Sequence, residues 1–182
     1  MDRFKNTLIH AIIAGFLLAG TGTVAWAQDK EERKTKETVA MSQQVYEKLA
    51  EVQELIENKD YATALRGIEE LKGRKGLSDY ERAQLWNITG YSYYLQENYA
   101  EAIRAYDQVL AQPGLPEALL LSTLKTKAQL HFTEEDYESA LRVVRQLMAA
   151  IPEPSADVMM IEGQALFQLG RYDEALVPIK TA

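Results

Sequence analysis

Between Leu85 and Leu110 the apolar residues fall into two stripes, each of which lies along one side of a helix. The first stripe is Leu85, Trp86, Ile88, Tyr91 and Leu95. The second is Ala102, Ile103, Tyr106, Val109 and Leu110, the i, i+1, i+4, i+7, i+8 spacing of one helical face. The polar break at 96–98 predicts a tight turn, so the two helices fold back on each other. Gly90 and Ala102 are small where the helices are expected to cross, and Tyr99, just past the turn, is placed to cover the joint.

The same phrase returns along the chain. Asp60-Tyr61-Ala62-Thr63-Ala64-Leu65, Asn98-Tyr99-Ala100-Glu101-Ala102-Ile103, Asp136-Tyr137-Glu138-Ser139-Ala140-Leu141 and Arg171-Tyr172-Asp173-Glu174-Ala175-Leu176 are four copies, with tyrosine spacings of 38, 38 and 35 residues. A fixed period in this range predicts stacked helical hairpins. A Tyr-x-x-Ala phrase with a small residue upstream resembles the tetratricopeptide repeat over about residues 45–182. The resemblance implies an all-α, right-handed superhelical solenoid of antiparallel helix pairs, about four repeats long. It also implies an interaction scaffold.

The remaining stripes fit that period. Met41–Ile56 is expected as the first helix, with Ser42 as N-cap and Val45, Leu49, Val52, Leu55 and Ile56 as its stripe. Ala64, Leu65, Ile68 and Leu71 mark its partner, in which Gly67 is expected to serve close packing and which Gly73 and Gly76 end. Ser78 with Glu81 three residues on is a capping-box pattern. Pro113-Gly114-Leu115-Pro116, and later Pro152 and Pro154, break the chain between repeats. The fourth repeat offers Met159, Met160, Ile161, Gly163, Leu166 and Phe167, then a second helix from near Tyr172. Seven residues follow Ala175, fewer than in the other copies, and no polar terminal cap is evident. The expectation is a repeat domain over 41–182 that is truncated at its C-terminus.

Residues 1–27 break the pattern. A short basic start (Arg3, Lys5), an apolar run over Leu8–Ala19 and Ala25-Trp26-Ala27 read as a secretory signal peptide cleaved after Ala27. The run is shorter than the roughly 18–20 residues that span a bilayer. Membrane contact is therefore expected only through that peptide before cleavage, and the mature protein is expected in the periplasm. Residues 28–40 are dense in both charge signs and read as a flexible linker.

The 182 residues carry a formal net charge of −7 and no cysteine. Loss of Asp2, Arg3 and Lys5 with the leader makes the mature chain one unit more negative. An acidic chain without a basic aromatic stripe is a poor ligand for nucleic acid. No cysteine means no disulfide, no thiol nucleophile and no lipobox. His10 leaves with the leader, and His131 sits where a bulky packing residue is expected, with no nucleophile constellation around it. Phosphate-loop, His-x-x-x-His and nucleophile-elbow patterns are missing from the sequence. Glu134-Glu135-Asp136 matches no metal loop. Neither an enzyme nor a cofactor is expected.

The first helices of successive tetratricopeptide hairpins line a concave surface, and carrying that geometry over implies a groove in three steps. They are Asn87, Tyr91 and Tyr94, then Lys125, Gln129 and Phe132, then Met160, Gln164 and Phe167. Amides can bond the backbone of an extended or helical peptide and rings can bury its side chains. Tyr94, Phe132 and Phe167 are equally readable as helix-to-helix packing. The paired basic and asparagine residues that clamp a C-terminal carboxylate in chaperone-binding members are not matched here. Where the repeat usually has a leucine before its small residue, this chain has Thr89, Lys127 and Glu162, and Ile88 and Ile161 are expected to take over that packing.

The wording of Leu110–Leu141, and of Asp79-Tyr80-Glu81-Arg82-Ala83-Gln84-Leu85, is similar to exported tetratricopeptide proteins that accompany TonB–ExbB–ExbD systems of Gram-negative bacteria. That resemblance implies a periplasmic accessory of outer-membrane uptake with a protein or peptide partner in the cell envelope. Two alternatives stay open. One is the N-terminal targeting module of a longer envelope or cell-wall enzyme, and the other is a self-associating structural element.

Overall fold

A computed structural model describes residues 41–181. The expected leader, and all of the expected linker, lie outside the described residues. Eight helices make up the described part: α1 (Gln43–Glu57), α2 (Tyr61–Lys72), α3 (Asp79–Leu95), α4 (Tyr99–Leu110), α5 (Glu117–Thr133), α6 (Tyr137–Ala149), α7 (Ala156–Gln168) and α8 (Tyr172–Thr181). They pack as four hairpins, α1 on α2, α3 on α4, α5 on α6 and α7 on α8. The second helix of each of the first three packs on the first helix of the next, and α5 also touches α7. This is the helical solenoid that the period predicts.

The turns are built alike. Lys59, Glu97 and Glu135 sit in the left-handed region at φ 62°, 60° and 59°, and Gly170 takes the same step at φ 72°. That conformation reverses the chain within three residues, at a cost for any residue with a Cβ. The next residue caps the second helix. Asp60 accepts from the Thr63 N–H, Asn98 from Glu101 and Asp136 from Ser139. Each side chain satisfies one of the orphan donors at a helix start. At the equivalent place before α8 the chain has Arg171, which instead forks onto Glu174 with two bonds of 2.7 Å.

Within the hairpins, bulk is shared between two positions sixteen residues apart. The pairs are Val52 with Ile68, Gly90 with Tyr106, Ala128 with Val144 and Gly163 with Ile179. Where the second member is a large ring, the first is glycine. Tyr106 is buried, and its Cζ would lie 2.9 Å from a Cβ on Gly90. Gly90 therefore admits the Tyr106 ring, rather than meeting Ala102 at a bare backbone crossing. Gly163 admits Ile179 in the same way, and Gly67 has Val52 as its near neighbour.

Between hairpins, polar groups hold the register. The Lys72 ammonium lies 3.3 Å from the centre of the Trp86 ring, joining α2 to α3. Lys127 pairs with Asp107 across α5 and α4, and Arg145 with Glu162 across α6 and α7 at 2.8 Å. Two of the missing leucines are thus replaced by ion pairs onto the preceding hairpin. The third, Thr89, is buried and donates to the Leu85 carbonyl at 2.7 Å. Ile88 and Ile161 pack at the edges of the core, as expected.

Helix α1 starts at Gln43, two residues later than the apolar pattern suggested, and Ser42 caps it by position alone. Its hydroxyl forms no cap bond because it donates to Glu81, 39 residues on, at 2.6 Å. Glu81 is buried and also accepts from the Ser42 N–H, the Ser78 N–H and the Ser78 hydroxyl. The capping box at Ser78 is present. Burial of Glu81 opposes ionisation, but these four bonds outweigh it and hold the carboxyl at about 2.

Candidate functional site

Repeat spacing sorts the nine first-helix residues into three equivalent rows. Asn87, Lys125 and Met160 form one, Tyr91, Gln129 and Gln164 the second, and Tyr94, Phe132 and Phe167 the third. The structure leaves Gln164 and Phe167 exposed and the other seven half-buried, so all nine keep a side toward solvent. The same step into the first hairpin reaches Leu49, Gln53 and Ile56. Leu49 and Ile56 are buried, whereas Gln53 is accessible and continues the row of Gln129 and Gln164. Sequence reading passed over Gln53, although the 38-residue step from Tyr91 points to it.

The third row belongs to the hairpin elbows as well as to the face. Each of its rings packs on the tyrosine that opens the second helix of its own hairpin. Tyr94 lies 6.1 Å from Tyr99, Phe132 5.1 Å from Tyr137 and Phe167 5.2 Å from Tyr172, centre to centre. The last two are edge-on pairs, the geometry the aromatic quadrupole favours. These rings are therefore held in place by contacts within their own hairpins.

Tyr91 and Tyr94 stack at 6.5 Å. Burial pushes the Tyr91 phenol upward, and Tyr61, Tyr94 and Glu57 push it the same way. Burial raises Tyr94 and, far more, Tyr106, with Tyr91 and Tyr94 adding to the latter. All these phenols stay protonated at ordinary pH and can donate hydrogen bonds.

Lys125 ion-pairs with Asp157 at the start of α7. The Lys125 bond, with a second from the Ser155 hydroxyl, holds the Asp157 carboxyl below its ordinary value. Lys125 straps the third hairpin to the fourth.

His131 is half-buried, with Nδ1 3.3 Å from an Asp136 oxygen. Burial lowers its pKa, and Asp136 opposes this in part. Asp136 is occupied as the cap of α6, and the Ser139 hydroxyl accepts from Arg142 at 2.8 Å. The trio is thus a helix start rather than an activated nucleophile. Among the described residues no three His, Cys, Asp or Glu side chains converge to hold a metal. Nor is any helix among them long and apolar enough to cross a membrane. What the face offers is amides, phenols and fixed rings, which is chemistry for holding a chain.

The last hairpin differs from the others. Leu176 and Ile179 are 49% and 40% exposed, whereas their equivalents Leu141 and Val144 are 3% and 0% exposed.

Two family models match the chain. One, described as tetratricopeptide repeat, covers residues 49–116. The other, described as anaphase-promoting complex, cyclosome, subunit 3, covers residues 95–182. No curated protein matches the sequence. Among solved structures, MamA 41-end from Desulfovibrio magneticus RS-1 is similar at 18% identity and TM-score 0.60, over 78% of this chain and 75% of that one. A MamA RS-1 ArsTM double mutant gives 17% identity and TM-score 0.62, over 78% and 74%. A further MamA crystal structure gives 14% and 0.59, over 75% and 74%. At such identities the likeness is one of fold. Four stacked hairpins, with the tetratricopeptide repeat model over residues 49–116 and the likeness to the MamA structures, make the described part a helical solenoid with the fold of tetratricopeptide-type repeats.

Proposed function

We propose that the chain is an exported scaffold that holds an extended or helical peptide segment of an envelope protein along its first-helix face. The observation that carries this reading is the register of that face. Gln53, Gln129 and Gln164 share one row with Tyr91, and elbow-fixed rings run beside them. Side-chain amides repeated at the pitch of the array bond a peptide backbone, while the rings cover its apolar side chains. The leader sequence supports the periplasm as its location. The wording of the linkers supports an accessory role beside TonB-dependent outer-membrane transport.

A photo-crosslinking residue placed at Gln129, compared with one at exposed Arg142 on α6, tests the reading in intact cells. The expected result is a discrete adduct with an envelope protein from position 129, lost when Gln164 and Tyr91 are replaced by alanine. Equal crosslinking from both positions, or recovery of the chain in the cytoplasm, rejects it. A second reading, self-association, draws on the exposed Phe167, Tyr172, Leu176 and Ile179 in the last hairpin. A sedimentation mass that stays monomeric from micromolar to near-millimolar protein removes that reading.

A further inference from the structure

The first-helix face is not uniform along its length. In the third hairpin the cation in the first row, Lys125, is already matched by Asp157. The first two hairpins place no lysine or arginine in these rows, and Glu57, next in sequence to Ile56 of the third row, ends α1. The rings there are tyrosines rather than phenylalanines. Tyr91 and Tyr94 are stacked, Tyr99 closes on Tyr94 at 6.1 Å, and Tyr61 and Tyr91 both pack at the edge of the first hairpin's core. Ring faces carry partial negative charge and attract an ammonium or a guanidinium, most strongly where the site is partly desolvated. A carboxylate beside the rings adds to that attraction, within a chain of net charge −7.

We propose that Tyr61, Tyr91 and Tyr94, with Glu57, form a subsite for an arginine or lysine side chain of the bound peptide. The proposal rests on the reading of the first-helix face as the binding surface, and it fixes the chemistry at one end of it. Arginine suits the place better than lysine, because its planar guanidinium stacks on a ring while its edge reaches a carboxylate. Burial raises the Tyr91 phenol, and Tyr61, Tyr94 and Glu57 add to that shift. Peptides carrying a basic residue at this end are selected over neutral or acidic ones, because an acidic side chain here would face Glu57 across the rings.

Two capped probes differing by one atom pair test this: a short arginine-containing peptide and its citrulline counterpart, which keeps the shape and loses the charge. The full chain with isotope-labelled tyrosine rings is titrated with each, signals being assigned by single Tyr→Phe variants. The expected result is saturable shifts of the Tyr61, Tyr91 and Tyr94 rings with the arginine peptide. The citrulline peptide should bind about tenfold more weakly, and Glu57→Gln should weaken the arginine peptide roughly three- to tenfold. Equal binding of the two peptides at these rings overturns the cation subsite while leaving the face as a binding surface. Shifts spread over the outer acidic helices, unchanged by Glu57→Gln and Tyr91→Leu, overturn it as well, since they report bulk charge attraction. Failure of the Gln129 crosslink in cells, with arginine binding intact, would instead remove the wider reading.

Discussion

The ring of Tyr106 occupies the space that a side chain at Gly90 would need. A Cβ there would meet Cζ at 2.9 Å, Cε1 at 3.0 Å and Cε2 at 3.1 Å. A buried ring cannot flex away as the end of a long side chain could, so Gly90→Ala overpacks the second hairpin. It should destabilise the chain by about 1–3 kcal/mol in urea unfolding followed by Trp86 fluorescence. The third hairpin shows the compensating change, with Ala128 and Val144 at the two equivalent positions. The double variant Gly90→Ala with Tyr106→Val should therefore lose less than the sum of the two single changes. Simple additivity would mean that the two residues do not share the space.

Glu81 joins the start of α1 to the start of α3 through Ser42 and Ser78. Its carboxyl is held at about 2, below the ordinary 4.5. A depressed pKa contributes stability that is present above the unfolded value and is lost as pH falls through the folded one. The clasp should thus weaken between about pH 4.5 and pH 2, with α1 exchanging its amide hydrogens earliest. At neutral pH, Glu81→Gln should cost roughly 1.5–3 kcal/mol, the range for hydrogen bonds to a charged group. It should also flatten the stability loss across that acid window. An unchanged acid profile in Glu81→Gln would show that other carboxylates govern it.

The left-handed turn residue of the third hairpin, Glu135 at φ 59°, corresponds to Gly170 in the fourth. Glu135→Gly relieves the Cβ crowding of that conformation, offset in part by the greater freedom of glycine in the unfolded chain. A net gain of about 0.5–1 kcal/mol is expected, read as a higher midpoint of thermal unfolding. The converse change, Gly170→Ala, should lose a comparable amount. A destabilised Glu135→Gly would indicate that the Glu135 side chain makes contacts that outweigh its backbone strain.

The hairpins were legible because each is a local pattern. The tyrosine phrase marks the start of every second helix, and the apolar stripes mark the faces, so α2, α4, α6 and α8 begin at Tyr61, Tyr99, Tyr137 and Tyr172 as read. What escaped the sequence are pairings whose partners lie a turn or a hairpin away. Nothing local tells that Ser42 forgoes its own helix for Glu81, or that Lys125 reaches Asp157. The open choice for Tyr94, Phe132 and Phe167 between packing and exposure resolves into both. Each stands five residues before an elbow tyrosine, close enough to lean on it and still keep one side in solvent. The replacement of Leu by Lys127 and Glu162 looked like a departure from the repeat. It becomes an ion pair once the preceding second helix is in place.

The proposed binding face makes the last prediction. Tyr91 and Gln129 occupy one row on consecutive first helices and both are half-buried, Tyr91 against the edge of the first hairpin's core. Replacing both with alanine removes a ring and an amide from the surface without opening a cavity as large as a core truncation would. Partner binding should fall by at least tenfold, since a central aromatic contact commonly contributes 1–2 kcal/mol or more. Far-UV circular dichroism should stay as in the parent chain. Ala102→Leu is the contrasting variant: Ala102 is fully buried, so the added bulk should unfold the second hairpin and abolish binding and helicity together. If the surface pair melts the array as the buried change does, these residues hold the fold rather than the partner. If it leaves both helicity and binding intact, the partner sits elsewhere on the array.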